Sequence, residues 1–147
     1  MTESLDLNID KFVFRVAVDR LYTAEGIWVK FEGGNLRLGI SDFLQQRSGD
    51  VAFAEVKPED TFLAVGEELA VIETIKVNIG LPSPVNGTIL KVNPAMESRP
   101  EVINLDPYGE GWLCTVSPVD PLIGHEGLLD AQAYFEIMKT QAQDAAR

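Results

Sequence analysis

The chain has 147 residues, a length that predicts one domain with a modest hydrophobic core. Hydrophobic residues make up 46% of it, which excludes an intrinsically disordered chain, and no apolar run approaches the roughly 20 residues of a membrane helix. Twelve basic and twenty-three acidic residues give a net charge of −11, which disfavours nucleic acid as a partner and favours basic protein surfaces. Residues 1–6 are acidic and polar, without the basic and apolar regions of a secretory signal, so we expect a cytoplasmic protein without membrane insertion.

The strands predicted from the sequence dominate the first four-fifths of the chain. Alternating segments rich in β-branched and aromatic residues cover 12–18, 26–31, 36–40, 50–56, 68–73, 87–92 and 111–116. Gly33 and Gly34 supply a hairpin turn between the second and third of these segments. The short, fairly even spacing of turn residues between them favours a mainly β domain, either a sandwich or a barrel-like fold.

Helical signals are confined to two segments. Residues 41–49 begin with Ser41 as an N-cap and end at Gly49, which predicts one short helix. Residues 128–143 repeat apolar side chains at helical spacing, with Asp130 as the cap, and predict an amphipathic C-terminal helix that lies on the β core. Residues 1–147 are therefore expected to form a single domain whose core spans about 12–120.

A single cysteine and a single histidine restrict the chemistry that the chain can perform alone. Cys114 lies in an apolar, strand-like run and is interpreted as a buried, inert thiol. His125, in a predicted loop before the last helix, has no second histidine or cysteine at ligand spacing, so no metal site is expected. No P-loop, dinucleotide-binding turn or nucleophile elbow is present, and we expect no self-sufficient enzyme.

Lys76 lies in the most informative stretch of the sequence. It follows Gly66 by ten residues and precedes Gly87 by eleven, and a strand-like run leads into it from each glycine. The two runs predict the arms of a hairpin with Lys76 near its tip, where a modifying enzyme can reach the ε-amine. An ordinary solvated strand lysine fits the same spacing.

The sequence around Lys76 resembles the biotinyl/lipoyl-attachment family. Glu-Thr-Ile-Lys-Val at 73–77 stands where that family's modified lysine motif lies, and the absence of a methionine before Lys76 argues against the biotin version. Further motifs, in order along the chain, resemble the glycine cleavage H-protein family. They are residues 22–29, 39–45, 49–56, 83–87 and 106–112.

This resemblance implies a hammerhead-type β-sandwich of two small antiparallel sheets, with lipoate amide-linked to Lys76. Glu73 and Thr74 would then shape recognition by a lipoate ligase or lipoyl transferase. The cofactor would bring the chemistry, and the protein would act as a carrier for partner enzymes rather than as an enzyme. Because the arm is tethered and cycles between disulfide and dithiol, the implied partners are redox or sulfur-transfer enzymes.

Three features depart from the glycine cleavage pattern. Gly26 and Ile27 stand where that family has a His-Glu pair before its tryptophan, Phe43 replaces a histidine, and Gly80 replaces an aspartate four residues beyond the lysine. None of these side chains offers an acceptor to a protonated amine. Ile27 and Phe43 are predicted to form an apolar wall near the arm, although core packing is the better single explanation for both residues.

The departures make the chain similar to the H-like lipoate-binding proteins of the heterodisulfide-reductase-like sulfur-oxidation system. Residues 26–30 and 42–50 carry this resemblance. It implies that the lipoyl arm hands a sulfur-bound load to the enzymes of that cytoplasmic complex. Two alternatives stay open: an H protein of glycine cleavage that carries an aminomethyl group, and an interaction protein in which Lys76 is never modified.

Overall fold

The computed structural model describes residues 3–120 and 127–145, so His125 and most of its predicted loop lie outside the described residues. The strands are β1 (Ser4–Ile9), β2 (Phe12–Ala17), β3 (Leu21–Tyr22), β4 (Ile27–Glu32), β5 (Asn35–Ile40), β6 (Val51–Val56), β7 (Phe62–Leu63), β8 (Glu68–Thr74), β9 (Asn78–Pro82), β10 (Gly87–Val92) and β11 (Cys114–Pro118). The helices are α1 (Asp42–Ser48), α2 (Ala95–Ser98), α3 (Val102–Leu105) and α4 (Ala131–Ala145). In these parts of the chain, no helix is long and apolar enough to cross a membrane.

Two of the sheets share the main hydrophobic core. The six-stranded sheet has the order β3-β4-β5-β11-β10-β7, and the three-stranded sheet has the order β6-β8-β9. Val29, Leu38 and Ile89 of the first sheet are fully buried in one cluster with Leu69 and Ile72 of the second. Each such side chain stabilises the fold by roughly 1.5–3 kcal/mol. The mainly β, sandwich-type fold predicted from the sequence is confirmed.

Helix α4 packs on a second hydrophobic cluster. This cluster lies on the other face of β4, because successive side chains of a strand point to opposite faces. Trp28 faces away from Val29 and packs with Phe43, Tyr134 and Met138. The rings of Tyr22 and Tyr134 stack with centroids 4.6 Å apart. The helix begins at 131 rather than at the predicted 128, since the Oδ1 of its cap, Asp130, accepts from the backbone N–H of Ala133 at 2.8 Å.

The N-terminal hairpin β1–β2 is a third, two-stranded sheet, and the strands predicted from the sequence omit β1. Leu5, Leu7 and Ile9 alternate along β1 and pack against the cluster under α4. This alternation is a strand signal. The prediction misses it because the N-terminal residues are interpreted only for their acidic and polar character. Six paired positions join β1 to β2, from Ser4 with Ala17 to Ile9 with Phe12.

The prediction that the second arm of the Lys76 hairpin extends to Gly87 is wrong, because this arm ends at Pro82. The hairpin consists of β8 and β9, whereas β10 begins at Gly87 and belongs to the six-stranded sheet. Pro82 ends β9 and Pro84 follows, and a proline has no N–H to offer a strand ladder. The strand predicted at 111–116 likewise begins only at Cys114, because the backbone N–H of Gly111 donates to the carbonyl of Asp106 in a turn.

Candidate functional site

Lys76 lies at the exposed tip of the β8–β9 hairpin. The last paired residues of the two strands are Glu73 and Asn78, so the tip consists of the residues between them. Ile72 of β8 and Leu81 of β9 are buried in the main core and anchor the arms. The neighbours of Lys76 are open to solvent, with 76% of Ile75 and 47% of Val77 exposed. The lysine is therefore presented on a fixed support.

The hydroxyl of Thr74 organises this tip. Its Oγ1 accepts from the backbone N–H groups of Lys76 and Val77 at 3.1 and 3.0 Å. The same oxygen lies 2.7 Å from the carbonyl of Ser48 and 3.0 Å from that of Val77, and its single hydrogen serves one of them at a time. Because Ile75 also donates its N–H to the carbonyl of Asp50 at 3.1 Å, the tip is tied to the loop that follows α1.

The Lys76 side chain lies against the C-terminal end of α1. Its Nζ donates to the carbonyl oxygen of Arg47 at 3.2 Å. Its aliphatic part runs beside Gly49, the C-cap of α1, whose φ of 99° favours glycine. A cationic group at this end of a helix is electrostatically favourable, because the last carbonyls carry a partial negative charge.

A cavity of about 240 Å³ opens beside Lys76 between three elements. Its other lining residues are Phe12 and Phe14 of β2, Phe43, Gln46 and Arg47 of α1, and Ala142 and Ala145 of α4. The rings of Phe14 and Phe43 meet edge to face, with centroids 5.3 Å apart. The guanidinium carbon of Arg47 lies 5.7 Å from the centroid of the Phe43 ring. The part of this lining that residues 3–120 and 127–145 supply is thus mainly aromatic and aliphatic, with one arginine and without a carboxylate.

The structure brings some of the sequence-predicted residues together and separates others. Thr74 shapes the tip, and Phe43, only 4% exposed, lines the cavity with Lys76. Glu73 is exposed on β8, in register with Phe53 on one side and Asn78 on the other. Ile27 is fully buried in the main core and does not line the cavity. The apolar wall expected from Ile27 and Phe43 is instead built from Phe43 and the two phenylalanines of β2.

Several lining residues of the cavity were not among the sequence candidates. Gln46 and Arg47 follow Phe43 by three and four residues, so they share its face of α1. Helical spacing alone could therefore have predicted that both residues lie beside Phe43. Phe12 and Phe14 alternate with Val13 and therefore share one face of β2. The approach of Ala142 and Ala145 depends on the docking of α4, which no local pattern specifies.

Cys114 lies outside this site. It is fully buried in the main core, as predicted, and burial raises the pKa of its thiol to about 12. Its thiolate fraction at neutral pH is therefore negligible, and the thiolate is the reactive form of cysteine. Chemistry at sulfur cannot be assigned to this side chain.

Comparisons with known proteins agree with this geometry. The family model described as "Glycine cleavage H-protein" matches residues 20–141. The glycine cleavage system H protein of Thermus thermophilus is 39% identical over 124 residues, covering 84% of this chain and 96% of that protein. The counterpart from Bacteroides thetaiotaomicron is 42% identical over 113 residues, covering 77% and 89%.

A solved structure shows the same fold. The crystal structure of a glycine cleavage system H protein from Mycobacterium marinum superimposes with a TM-score of 0.75 at 31% identity, covering 82% of this chain and 97% of that one. Proteins that the matching family model describes carry lipoate attached covalently to a lysine. The match over residues 20–141 and the identity of these relatives show that the chain belongs to the glycine cleavage H-protein family.

Proposed function

We propose that this chain is a lipoyl carrier in which lipoate is amide-linked to the Nζ of Lys76. The observation that supports this most strongly is the position of Lys76, exposed at the tip of a hairpin whose arms are anchored in the core. Tethering at such a point makes transfer between partner active sites effectively intramolecular. Bound lipoate supplies a dithiolane that interconverts with a dithiol, which is chemistry that the buried Cys114 cannot supply.

The residues around Lys76 fit such an arm. Aromatic rings, which line the cavity beside Lys76, make favourable contacts with polarisable sulfur. An amide at Nζ loses the charge of the lysine but keeps one N–H, which is sufficient for the hydrogen bond to the carbonyl of Arg47. Acylation is therefore compatible with the contacts that the side chain makes.

Glu73 and Thr74 are proposed to serve recognition by the lipoate ligase or lipoyl transferase. The carboxylate of Glu73 is exposed three residues before Lys76, on the same hairpin. Thr74 acts indirectly, because its hydroxyl fixes the backbone of the tip and hence the direction from which the lysine is approached.

For the load on the arm, we propose a sulfur-bound group delivered to redox or sulfur-transfer enzymes of a heterodisulfide-reductase-like complex in the cytoplasm. Among the described residues, the lining of the cavity beside Lys76 contains Arg47 and no carboxylate, so a protonated aminomethyl group would lose water there without gaining an opposite charge. Phe43 and Gly80, at positions where the glycine cleavage pattern has polar side chains, add no acceptor. This chemistry favours an uncharged or anionic load.

The second candidate is the H protein of glycine cleavage, carrying an aminomethyl group between the enzymes of that system. The names of the relatives favour this role over sulfur oxidation, since the proteins from Thermus thermophilus, Bacteroides thetaiotaomicron and Mycobacterium marinum are all glycine cleavage H proteins. The two candidates share Lys76 and differ only in the load and the partners.

The first experiment is intact mass measurement of the protein purified from its native source, with peptide mapping around Lys76. We expect one lipoyl group on Lys76, none in Lys76→Arg, and wild-type modification in Lys91→Arg, which alters another exposed lysine. An unmodified Lys76 in the native protein would overturn the carrier proposal and favour an unlipoylated interaction protein.

The second experiment separates the loads. Fully lipoylated protein is incubated with glycine decarboxylase and glycine, and methylamine loading is measured by mass, with a known H protein as the positive control. Absence of loading is expected and would exclude the glycine cleavage candidate, whereas efficient loading would overturn the sulfur proposal. Binding of the lipoylated protein to the purified heterodisulfide-reductase-like complex, compared with Lys76→Arg, tests the favoured partner directly.

A further inference from the structure

We propose that the cavity beside Lys76 is an arm pocket, formed by Phe12, Phe14, Phe43, Gln46, Arg47, Ala142 and Ala145, which receives the outer end of the Lys76-linked arm and selects an anionic load through Arg47. This inference rests on the proposed carrier function and deepens it. Residues before and after the family-matched segment form part of this pocket, and Arg47 sets its charge preference.

Four of the seven residues that define the arm pocket lie outside the segment that the family model matches. That segment comprises residues 20–141, whereas Phe12 and Phe14 precede it and Ala142 and Ala145 follow it. The segment shared with the family supplies Lys76 and the α1 residues, but it does not enclose the space between them. The N-terminal hairpin and the last turn of α4 therefore complete the pocket.

The N-terminal hairpin is fixed in place on α1 by hydrogen bonds. The amide of Gln46 donates to the carbonyl of Val13 at 2.9 Å, and the backbone N–H of Arg15 donates to a carboxylate oxygen of Asp42 at 2.9 Å. The hydroxyl of Tyr108 donates to the carbonyl of Arg15 at 2.7 Å. The two phenylalanines of β2 are therefore held over α1 by a preformed structure, which lowers the entropic cost of binding an arm.

Helix α4 is fixed to the same helix from the other side of the pocket. The hydroxyls of Tyr134 and Ser41 lie 2.7 Å apart, and Ser41 is also the N-cap of α1. Ala142 and Ala145 follow Tyr134 on α4 and present only methyl groups to the pocket. Small side chains at these two positions leave the space that Phe12, Phe14 and Phe43 surround.

Arg47 gives the pocket its charge. It is exposed, and within residues 3–120 and 127–145 no carboxylate lies within ion-pair distance of its guanidinium. Once Lys76 is acylated, Arg47 is the remaining cation among the described residues that line the pocket. An anionic sulfur group at the end of the arm would meet this guanidinium in a bidentate geometry, whereas a cationic group would be repelled.

The preference expected from Arg47 is opposite to that of the whole molecule. With a net charge of −11, the chain as a whole attracts cations and repels anions. A measured preference for an anion at the tip of the hairpin would therefore report the local effect of Arg47, since the long-range field has the other sign.

Occupancy of the arm pocket is tested by hydrogen exchange of full-length protein in three states, with Lys76 unmodified, octanoylated and lipoylated. We expect slower amide exchange in β2 and in the last turns of α4 in the lipoylated state, a smaller effect with octanoyl, and loss of the effect in lipoylated Phe14→Ala. Unchanged exchange in lipoylated wild type would overturn the pocket. Failure to attach lipoate to Lys76 would instead count against the proposed function.

Charge selection is tested without lipoate, in Lys76→Cys labelled with methanethiosulfonate reagents that carry an ethylsulfonate or an ethylammonium group. The thiolate that this substitution introduces attacks the reagent sulfur, a disulfide forms and methanesulfinate leaves, while buried Cys114 does not react. We expect the sulfonate form to melt about 1 to 3 °C above the ammonium form, the effect of one partly exposed ion pair. Arg47→Gln should abolish this difference and Arg99→Gln, at an exposed arginine outside the pocket, should preserve it. An ammonium form of equal or higher Tm, or a sulfonate advantage that survives Arg47→Gln, would overturn the role of Arg47.

Discussion

Lys76 packs directly against Gly49, such that an ideal Cβ built on Gly49 would stand 3.2 Å from Cδ of Lys76. Gly49 also has a φ of 99°, a conformation that L side chains rarely adopt. Gly49→Ala is therefore expected to lower the free energy of unfolding by about 1 to 3 kcal/mol and to push the lysine away from α1. Chemical denaturation measures the first effect, and the rate of Lys76 lipoylation measures the second.

Gly66→Ala is the matched control for Gly49→Ala. Gly66 has a similar φ of 92°, but nothing lies within 4 Å of a Cβ placed there. Its substitution should reproduce the backbone cost and leave lipoylation of Lys76 unchanged. Equal lipoylation rates for both variants would show that the contact between Gly49 and Lys76 has no influence on modification.

Thr74→Val should loosen the tip that carries Lys76, because it removes the hydroxyl that accepts from two backbone N–H groups and donates to a carbonyl. Loss of these bonds is expected to cost about 1 to 3 kcal/mol, and amide exchange at Lys76 and Val77 should accelerate. Thr74→Ser keeps the hydroxyl and should restore most of the protection. Wild-type exchange in Thr74→Val would contradict the organising role of Thr74.

The bond between Tyr134 and Ser41 couples α4 to the cap of α1. Tyr134→Phe is expected to destabilise the protein by about 1 kcal/mol, and Ser41→Ala by a similar amount through the lost cap. Since both changes remove the same hydrogen bond, the double variant should cost less than the sum of the two. Denaturant unfolding of the three variants measures this coupling, and strict additivity would refute it.

Alkaline pH is expected to destabilise the fold. Burial raises the pKa of Cys114 from 9.0 to about 12 and raises the pKa values of Tyr22, Tyr108 and Tyr134 above their ordinary value of 10.0. The unfolded chain therefore loses these protons first, so their stabilising contribution is complete below about pH 9 and declines as the pH rises above it. Tm measured from neutral pH to about pH 11 should fall, and Cys114→Ala should lessen the early part of that fall. A Tm that stays constant over this range would contradict the expectation.

Cys114 should also resist alkylation in the folded protein. Because its thiol is fully buried and protonated at neutral pH, iodoacetamide is expected to label it only after denaturation. Mass measurement with and without denaturant tests this directly. Labelling of the native protein at a rate near that of a free thiol would mean that Cys114 becomes exposed by local opening.

Local signals account for the features of the fold that the sequence predicts best. Ser41 and Gly49 limit α1 as expected, since capping depends on residues within one turn. Gly33 and Gly34 have φ values of 58° and 87° and form the two-residue turn between β4 and β5. The position of Lys76 at a hairpin tip is predicted for the same reason, because β8 and the turn that carries Lys76 follow each other directly in the sequence.

Long-range arrangements account for what the sequence does not predict. The spacing from Lys76 to Gly87 predicts that the segment ending at Gly87 is the second arm of the Lys76 hairpin. Gly87 instead pairs with Leu63 and Pro118 in another sheet. Ile27 and Phe43 are equivalent as apolar replacements, but only Phe43 faces the cavity, since Ile27 points into the main core. The partners of Phe43 come from β2 and α4, far away in the chain, and nothing near residue 43 specifies them.

The wide separation of Phe12 and Ala145 in sequence also determines the order in which the molecule is assembled. Pairing of β8 with β9 joins residues that are close in sequence and is expected early in folding, whereas the cavity beside Lys76 closes a loop that spans nearly the whole described chain. During synthesis, β2 leaves the ribosome long before α4, so the walls meet only after every other described element has been made. The hairpin tip that presents Lys76 is thus complete before the cavity beside it.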